Sequence, residues 1–314
     1  MAFTMHSHSG EFCPGHAKDQ LEDILKHAIS IGYKTIGLTE HMPRYEERDL
    51  YPEELDDPAA SLAILPPRHE AYLIEAQRLQ KAYASQIHIL IGFEAEFIRP
   101  SFATRVRALA EHPAVDYFIG SVHHVHSIPI DFDARMFGLA RDASGPADAP
   151  GTEEQLYEDY YDLQFQMLHQ LKPRIVGHFD LIRLLSEEPG RDVRQWKGVW
   201  ERVVRNLELV AQQGGWLECN SSALRKGLAE PYPCRLISEE WLKMGGKFTF
   251  SDDSHGIAQV ATNYARTVTY LESLGIQEVW TYQRKPHPGL EGNNRATIEE
   301  VSVPLTAFRE NFKP

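Results

Sequence analysis

Histidines and carboxylates recur along this chain in short clusters whose spacing suits metal coordination. His6-Ser7-His8 and Asp253-Ser254-His255 each set two ligand-type side chains two residues apart. In an extended strand, residues i and i+2 face the same side, so each pair can grip one ion. Further clusters are Thr39-Glu40-His41, Gly92-Phe93-Glu94-Ala95-Glu96, Ser121-Val122-His123-His124, Gly177-His178-Phe179-Asp180 and Glu218-Cys219-Asn220. Imidazole and carboxylate donors suit Zn, Fe or Mn and do not discriminate among them. A lone His-x-His is a weak signal. The recurrence is the strong one, because each cluster closes a short apolar run.

Those runs are Phe3–His8, Thr35–His41, His88–Phe97, Tyr117–Val125, Arg174–Leu181, Gly215–Ser221 and Lys247–Ser251. Each has strand length. Between them, Asp19–Ile31, Arg68–Ala84, Glu153–Leu171, Val193–Gln213 and Arg235–Met244 repeat apolar residues at helical spacing. Gly214-Gly215 and Gly245-Gly246 are helix stops ahead of the next strand. Strands alternating with helices predict a parallel sheet with helical crossovers. Seven such repeats without a Gly-x-Gly-x-x-Gly fingerprint predict a closed α/β barrel rather than a Rossmann sheet. In such barrels chemistry gathers at the C-terminal strand ends, where these clusters lie. Pro43–Pro67 and the stretch around 127–152, which includes the Ala/Gly/Pro/Asp-rich Asp142–Thr152, read as inserted loops of a single domain spanning 1–314.

Composition narrows the function further. The 314 residues carry 32 basic and 45 acidic side chains, a formal charge of −13. So acidic a surface disfavours nucleic acid and anionic membranes as partners. An anionic substrate would need a local positive source, which bound metal ions supply. Cys13, Cys219 and Cys234 form no disulfide framework and fit a reducing compartment. No leader-like N-terminus and no long apolar run is present, so a cytoplasmic location is expected. Oligomeric state is not legible.

The whole set resembles the PHP phosphoesterase superfamily, and within it the histidinol-phosphate phosphatases. The most specific segment is Gly120-Ser121-Val122-His123-His124-Val125-His126-Ser127-Ile128-Pro129-Ile130-Asp131-Phe132-Asp133, with Gly177–Arg183 and Glu218–Arg225 in support. The resemblance implies a distorted (β/α)7 TIM-like barrel of the PHP type and a trinuclear centre of divalent ions (Zn, Fe or Mn). His6, His8, Glu94 and Asp253 would hold one ion. Glu94, His123 and His178 would hold a second, with Glu94 bridging. His16, His41 and His255 would hold a third. His124 and His126 are adjacent alternatives to His123, and Glu40-His41 stands where many members have Asp-His.

The implied reaction is hydrolysis of L-histidinol phosphate in histidine biosynthesis, by metal-activated hydroxide attack on phosphorus. Glu94, Asp253 and His255 are the expected catalytic residues, and Asp253 or a neighbouring histidine would protonate the leaving alkoxide. Arg183 and Arg225, a few residues past strand ends, are candidates for the phosphoryl oxygens, because guanidinium matches phosphate bidentately. Asp131, Asp133 or Glu96 would receive the cationic end of the substrate.

Other residues have plainer readings. Asp180 either supports a ligand histidine or caps a helix, and Asp252 shapes a turn. His27, His69, His88, His112, His169 and His287 are surface or structural. The Glu53–Asp57 acidic run is a solvated loop, and the five tryptophans are packing residues. The competing functions are hydrolysis of another phosphate monoester or nucleotide, and a non-catalytic metal-binding module.

Overall fold

The computed structural model describes residues 2–285 and 296–312. His287 lies outside the described residues. Each of the seven apolar runs contains a strand, and helices lie between most of them. In chain order the elements are β1 (Ala2–Thr4), α1 (Leu21–Ser30), β2 (Tyr33–Leu38), α2 (Pro58–Ala82), β3 (His88–Ile91), β4 (Glu94–Glu96) and α3 (Phe102–Ala110). Next come β5 (Ile119–Ser121), β6 (His124–Val125), β7 (Ile128–Pro129), α4 (Ala134–Ala143), α5 (Glu153–Leu171), β8 (Ile175–Val176) and α6 (Lys197–Gln213). The last are β9 (Trp216–Asn220), α7 (Ser222–Arg225), α8 (Arg235–Lys243), β10 (Lys247–Ser251), α9 (Tyr264–Ser273), β11 (Glu278–Lys285), β12 (Thr297–Pro304) and α10 (Thr306–Asn311).

The strands do not make the single closed barrel that the repeat pattern predicts. They form two parallel sheets, one ordered β1-β2-β3 and one ordered β10-β9-β8-β5-β4. The cause is local. The run 88–97 is split at Gly92-Phe93, so that β3 pairs with β2 while β4 pairs with β5. Gly92 permits the break: a Cβ there would fall 2.8 Å from the Tyr117 carbonyl oxygen. Between the sheets run isolated links rather than ladders. Met5 N–H donates to the Phe250 carbonyl (3.2 Å), and Met42 N–H donates to that of Glu94 (3.0 Å). Single bridges pair Ser7 with Ser254 and His41 with Glu94.

The helices cover the sheets with their apolar faces. In α1, Leu21, Ile24, Leu25 and Ala28 are buried at i, i+3, i+4 and i+7, a stripe aimed at the core. Each large aliphatic so buried contributes roughly 1.5–3 kcal/mol. Helix α5 starts in a capping box. The Thr152 hydroxyl accepts from Gln155 N–H (3.2 Å), and Thr152 N–H donates to Gln155 Oε1 (2.9 Å). Gly214 ends α6 in the left-handed region at φ 69°.

Two segments expected as loops hold helices. Within 43–67, α2 begins at Pro58, capped by the Asp57 carboxylate on Ala60 N–H (3.1 Å). It runs through Pro66 and Pro67, with Leu65, His69, Tyr72 and Leu73 buried on the core side. Within 127–152, α4 starts under an Asp133 cap on Met136 N–H (2.7 Å).

The C-terminal stretch pairs β11 with β12 antiparallel and covers the starting ends of the strands. Trp216, first in β9, stacks on Tyr282 at 4.6 Å. Lys247, first in β10, sets its Nζ 3.6 Å over the Trp280 ring. Arg284 N–H donates to Nε2 of His88, first in β3 (2.9 Å). The three cysteines are free thiols.

Candidate metal centre

Glu94, the first residue after the break in the 88–97 run, is buried at the meeting of the two sheets. Its Oε2 lies 3.3 Å from His6 Nε2, 3.6 Å from His8 Nε2 and 3.1 Å from His41 Nδ1. Its Oε1 lies 3.3 Å from His123 Nε2 and 3.0 Å from His178 Nε2. Asp253 Oδ1 sits 3.4 Å from His8 Nε2 and 3.7 Å from His6 Nε2. Three groups therefore bring their ligand atoms within 4.8 Å of one another: His6, His8 and Asp253; Glu94, His123 and His178; and His8, His41 and His255.

The electrostatics match cation binding. Burial opposes ionisation of Glu94, but His6, His123 and His178 outweigh it and hold the carboxyl well below the usual range. Asp253 is likewise held low against burial, by His6, His8 and His255. Burial and the adjacent His41 push His8 down to about 3, so its imidazole is neutral with lone pairs to give. Burial also keeps His255 low. His6, His41 and His123 go the other way: burial lowers each, yet the facing carboxylates raise them, Glu218, Glu94 and Asp253 for His6, Glu94 and Glu96 for His41, and chiefly Glu94 for His123.

Several of these nitrogens are buried without a hydrogen bond: His6 Nε2, both nitrogens of His8, His41 Nδ1 and His255 Nε2. Buried polar atoms are normally satisfied, so orphans gathered around two ionised carboxylates mark a place for cations. The donor set fits Zn, Fe or Mn.

A supporting layer fixes the ligands. Glu218 on β9 is fully buried and was legible only as a strand-end residue. Its Oε1 accepts from His6 Nδ1 (2.7 Å) and Ser251 Oγ (2.5 Å), and its Oε2 accepts from His178 N–H (2.8 Å) and Asn220 Nδ2 (3.0 Å). Engaging Nδ1 turns His6 Nε2 toward the centre. Asn220 Nδ2 and Ser222 Oγ each lie 3.3 Å from Asp253 Oδ2. Asp253 itself has a left-handed backbone, φ 47°, strain of the kind found at functional sites. Glu40, buried and raised to about 8, accepts from Ser9 N–H and Oγ. Asp252 shapes the turn, accepting from Tyr33 Oη (2.8 Å) and Ala261 N–H (2.7 Å).

Other expected residues are placed differently. His16 is half-exposed and outside the tight groups. Its ring centroid is 4.8 Å from that of His255 and 5.5 Å from that of His41, and its Nδ1 lies 3.8 Å from Glu53. Of the alternatives left open beside it, His123 joins the cluster. His124 is buried against Tyr51 with both nitrogens unpartnered, and His126 pairs with Asp159 at 2.7 Å. Glu96 does not face a ligand cleft: it is buried on Arg44 (3.0 Å) and lies 3.1 Å from His41 Nδ1. Asp133 is consumed as the α4 cap. Asp180 neither caps a helix nor supports a histidine; its Oδ2 accepts from Arg183 Nε (2.8 Å) and Cys234 N–H (2.9 Å). The 53–57 run is not merely solvated, because Glu54 pairs with Arg44 and Asp57 caps α2.

The two arginines also differ from expectation. Arg225 reaches the centre from behind, Nη2 donating to the Asp253 carbonyl (2.9 Å). Arg183 does not line the metal cleft. It borders a separate cavity of about 400 Å³ and spends Nε on Asp180 and Nη2 on the Glu230 and Pro231 carbonyls. The cleft at the centre holds about 40 Å³ and is bordered by Tyr51, Asp131, Phe132 and Lys226 as well as by the cluster. Lys226, adjacent to Arg225, and Arg44, in the irregular 43–57 stretch, gave no periodic signal in the sequence.

The parallel sheets and the histidine–carboxylate cluster define a class. The PHP domain model matches residues 4–222, and the chain belongs to the PHP domain family. Within that family it is 40% identical over 304 residues to a probable histidinol-phosphatase of Schizosaccharomyces pombe, covering 96% of this chain and 95% of the relative. It is 31% identical to the histidinol-phosphatase of Saccharomyces cerevisiae, covering 95% of each. In fold it is similar to the histidinol phosphate phosphatase of Lactococcus lactis, solved with zinc, L-histidinol and phosphate. The TM-score is 0.65 at 18% identity, over 94% of this chain and 98% of that one. Among the described residues, no helix is long and apolar enough to cross a membrane.

Proposed function

We propose that this chain is a metal-dependent histidinol-phosphatase, a phosphoric monoester hydrolase that releases phosphate from L-histidinol phosphate. The substrate rests on the two fungal relatives aligned over nearly the whole chain. The chemistry rests on one observation: a buried Glu94 whose two oxygens face histidines from both sheets.

The reading assigns His6, His8, Glu94 and Asp253 to one divalent ion and Glu94, His123 and His178 to a second. His16, His41 and His255 take a third, with His8 near enough to share it. Ions held there would make hydroxide available near neutral pH and offset phosphoryl charge. The chain's own residues do the rest. Glu94 and Asp253 keep the centre anionic. His8 and His255 stay neutral and offer lone pairs. Asp253 or a neighbouring histidine such as His255 would take the proton released by the attacking water and hand it to the leaving alkoxide. Arg225 and Lys226 supply positive charge beside Asp253. Arg183 borders the separate cavity and takes no part in this reading.

The reading treats residues 1–314 as one domain with insertions around 43–67 and 127–152. It takes the two sheets as a distorted seven-stranded barrel, which the Ser7–Ser254 and His41–Glu94 bridges support. A cytoplasmic biosynthetic enzyme is the simplest setting.

The test is phosphate release from L-histidinol phosphate beside a panel of nucleotide and sugar phosphates, with Zn, Mn or Fe supplied. Preference for histidinol phosphate, abolished by His8→Ala, is expected. Turnover of the panel but not of histidinol phosphate would keep the centre and overturn the substrate. Tightly bound metal without turnover would favour the non-catalytic module.

A further inference from the structure

We infer that Asp131 is the residue that selects for the α-ammonium of the substrate, with Tyr51 and Phe132 flanking the imidazole. The inference rests on the histidinol-phosphatase reading and deepens it. It starts from what lines the cleft. The cleft is bordered by the ligand cluster and also by Tyr51, Asp131, Phe132 and Lys226. The phosphoryl end belongs beside the ions that the ligands would hold, which leaves the organic end to the other lining residues.

The carboxylates bordering the cleft are Glu94, Asp253 and Asp131. Glu94 and Asp253 are surrounded by the clustered histidines, as described above. Asp131 is left over: its Oδ1 is buried and has no hydrogen-bond partner. Ammonium supplies three donors and a positive charge, so it satisfies such an oxygen better than water or a neutral group.

The chain holds Asp131 firmly in this place. The hairpin of β6 and β7 turns back on itself through His126 and Ser127, both with positive φ. Ile130 N–H then donates to the carbonyl of His123 (2.9 Å). Two residues later Asp133 caps α4. Asp131 is therefore pinned between two anchors, one of them on a residue of the cluster itself. In histidinol phosphate the amine is attached two carbons from the ester oxygen and the imidazole lies further out. A carboxylate at the cleft wall suits the amine. The rings of Tyr51 and Phe132, 6.4 Å apart and tilted 35°, suit a flat heterocycle near the mouth. Lys226 borders the same cleft and would repel an ammonium, which leaves it to the phosphoryl side.

The experiment compares two substrates on two proteins: L-histidinol phosphate and its des-amino analogue, 3-(imidazol-4-yl)propyl phosphate, on the wild type and on Asp131→Asn. The wild type should favour histidinol phosphate over the analogue by about 10- to 100-fold in kcat/KM, the worth of one charged hydrogen bond. Asp131→Asn should remove that preference, mainly by raising KM for histidinol phosphate, and leave the analogue unchanged. Equal loss on both substrates would place Asp131 in the metal centre and overturn the inference. So would no loss on either, or a wild type that does not distinguish the two substrates. The wild-type comparison needs no variant to fold. Failure of the wild type to hydrolyse histidinol phosphate at all would overturn the functional reading, and this inference with it.

Discussion

The two ends of the same strands are built on opposite terms. At the starting ends, β11 lies across the sheets and charged groups find partners, Arg284 with Asp116, Arg174 and Lys247 with Glu300, His88 with a backbone N–H, although Trp216 Nε1 and Tyr282 Oη are buried without a hydrogen bond. Aromatic area fills what remains, with Trp216 against Tyr282. At the finishing ends, imidazoles crowd around carboxylates, and several buried nitrogens have no hydrogen bond. One end is arranged for stability. The other gathers charge and orphaned lone pairs in an arrangement suited to a bound cation. The same sheets carry both, so the polarity of the strands separates folding from chemistry.

That separation can be broken or sharpened by substitution, ranked here by effect on turnover. Glu94→Gln should be the most severe. Losing its charge removes several kcal/mol of support for the centre, about a thousandfold or more in kcat/KM. Phosphate release together with metal content checks it, and near-normal turnover would remove Glu94 from its central position. Glu218→Gln leaves every proposed ligand in place but weakens the hold on His6. A 10- to 100-fold fall in metal affinity is expected, the usual cost of losing such a support. Chelator competition reads it directly, and unchanged affinity would show that His6 is oriented by packing alone.

At the far end, Trp216→Ala should cost about 3–5 kcal/mol of stability and little turnover per folded molecule. Denaturant unfolding beside the assay tests this, and a large kcat loss would mean that the two ends are coupled. His69 asks whether an orphaned imidazole marks chemistry by itself. It is buried in α2 beside Tyr72 and Phe93, with both nitrogens unpartnered and no carboxylate at hand. Burial, with a smaller push from His112, lowers it to about 4. The unfolded chain, near 6.5, takes up the proton first. Stability is therefore full above pH 6.5 and falls as pH drops toward 4, by up to about 3 kcal/mol. His69→Phe should flatten that acid limb without altering metal binding. A stability profile that keeps its slope would contradict it.

Much of this was legible from spacing. Residues i and i+2 on a strand share a face whatever the fold, so His6 could be paired with His8 in advance. The same reading of Asp253 with His255 fails, because Asp253 turns into the left-handed region beyond β10 and joins His6 and His8, while His255 joins His8 and His41. Helix punctuation was equally local, as the stops at Gly214 and Gly245 show. What failed was decided at long range. The run 88–97 reads as one strand, and nothing in its residues says that its halves serve different sheets. Glu96 and Asp131 look alike in sequence. Only the fold brings Arg44 from an irregular segment onto one of them and leaves the other at the cleft. Asp133 could have been read better, because a carboxylate immediately before a helical pattern is a cap signal.

The break at Gly92 has a mechanical consequence. His6, His8 and His41 extend from strands of one sheet, and Glu94, His123, His178 and Asp253 from strands of the other. Only single bridges and isolated hydrogen bonds join the two sheets there. Whatever occupies the centre is also a rivet through the seam. By mass action, a ligand present at a thousand times its dissociation constant adds about 4 kcal/mol to the folded state. Stripping the metal should therefore loosen this end first, seen as faster amide exchange in the segments around His41 and Glu94, while the aromatic end keeps its protection. On the metal-centre reading, loading the cofactor also tightens the seam.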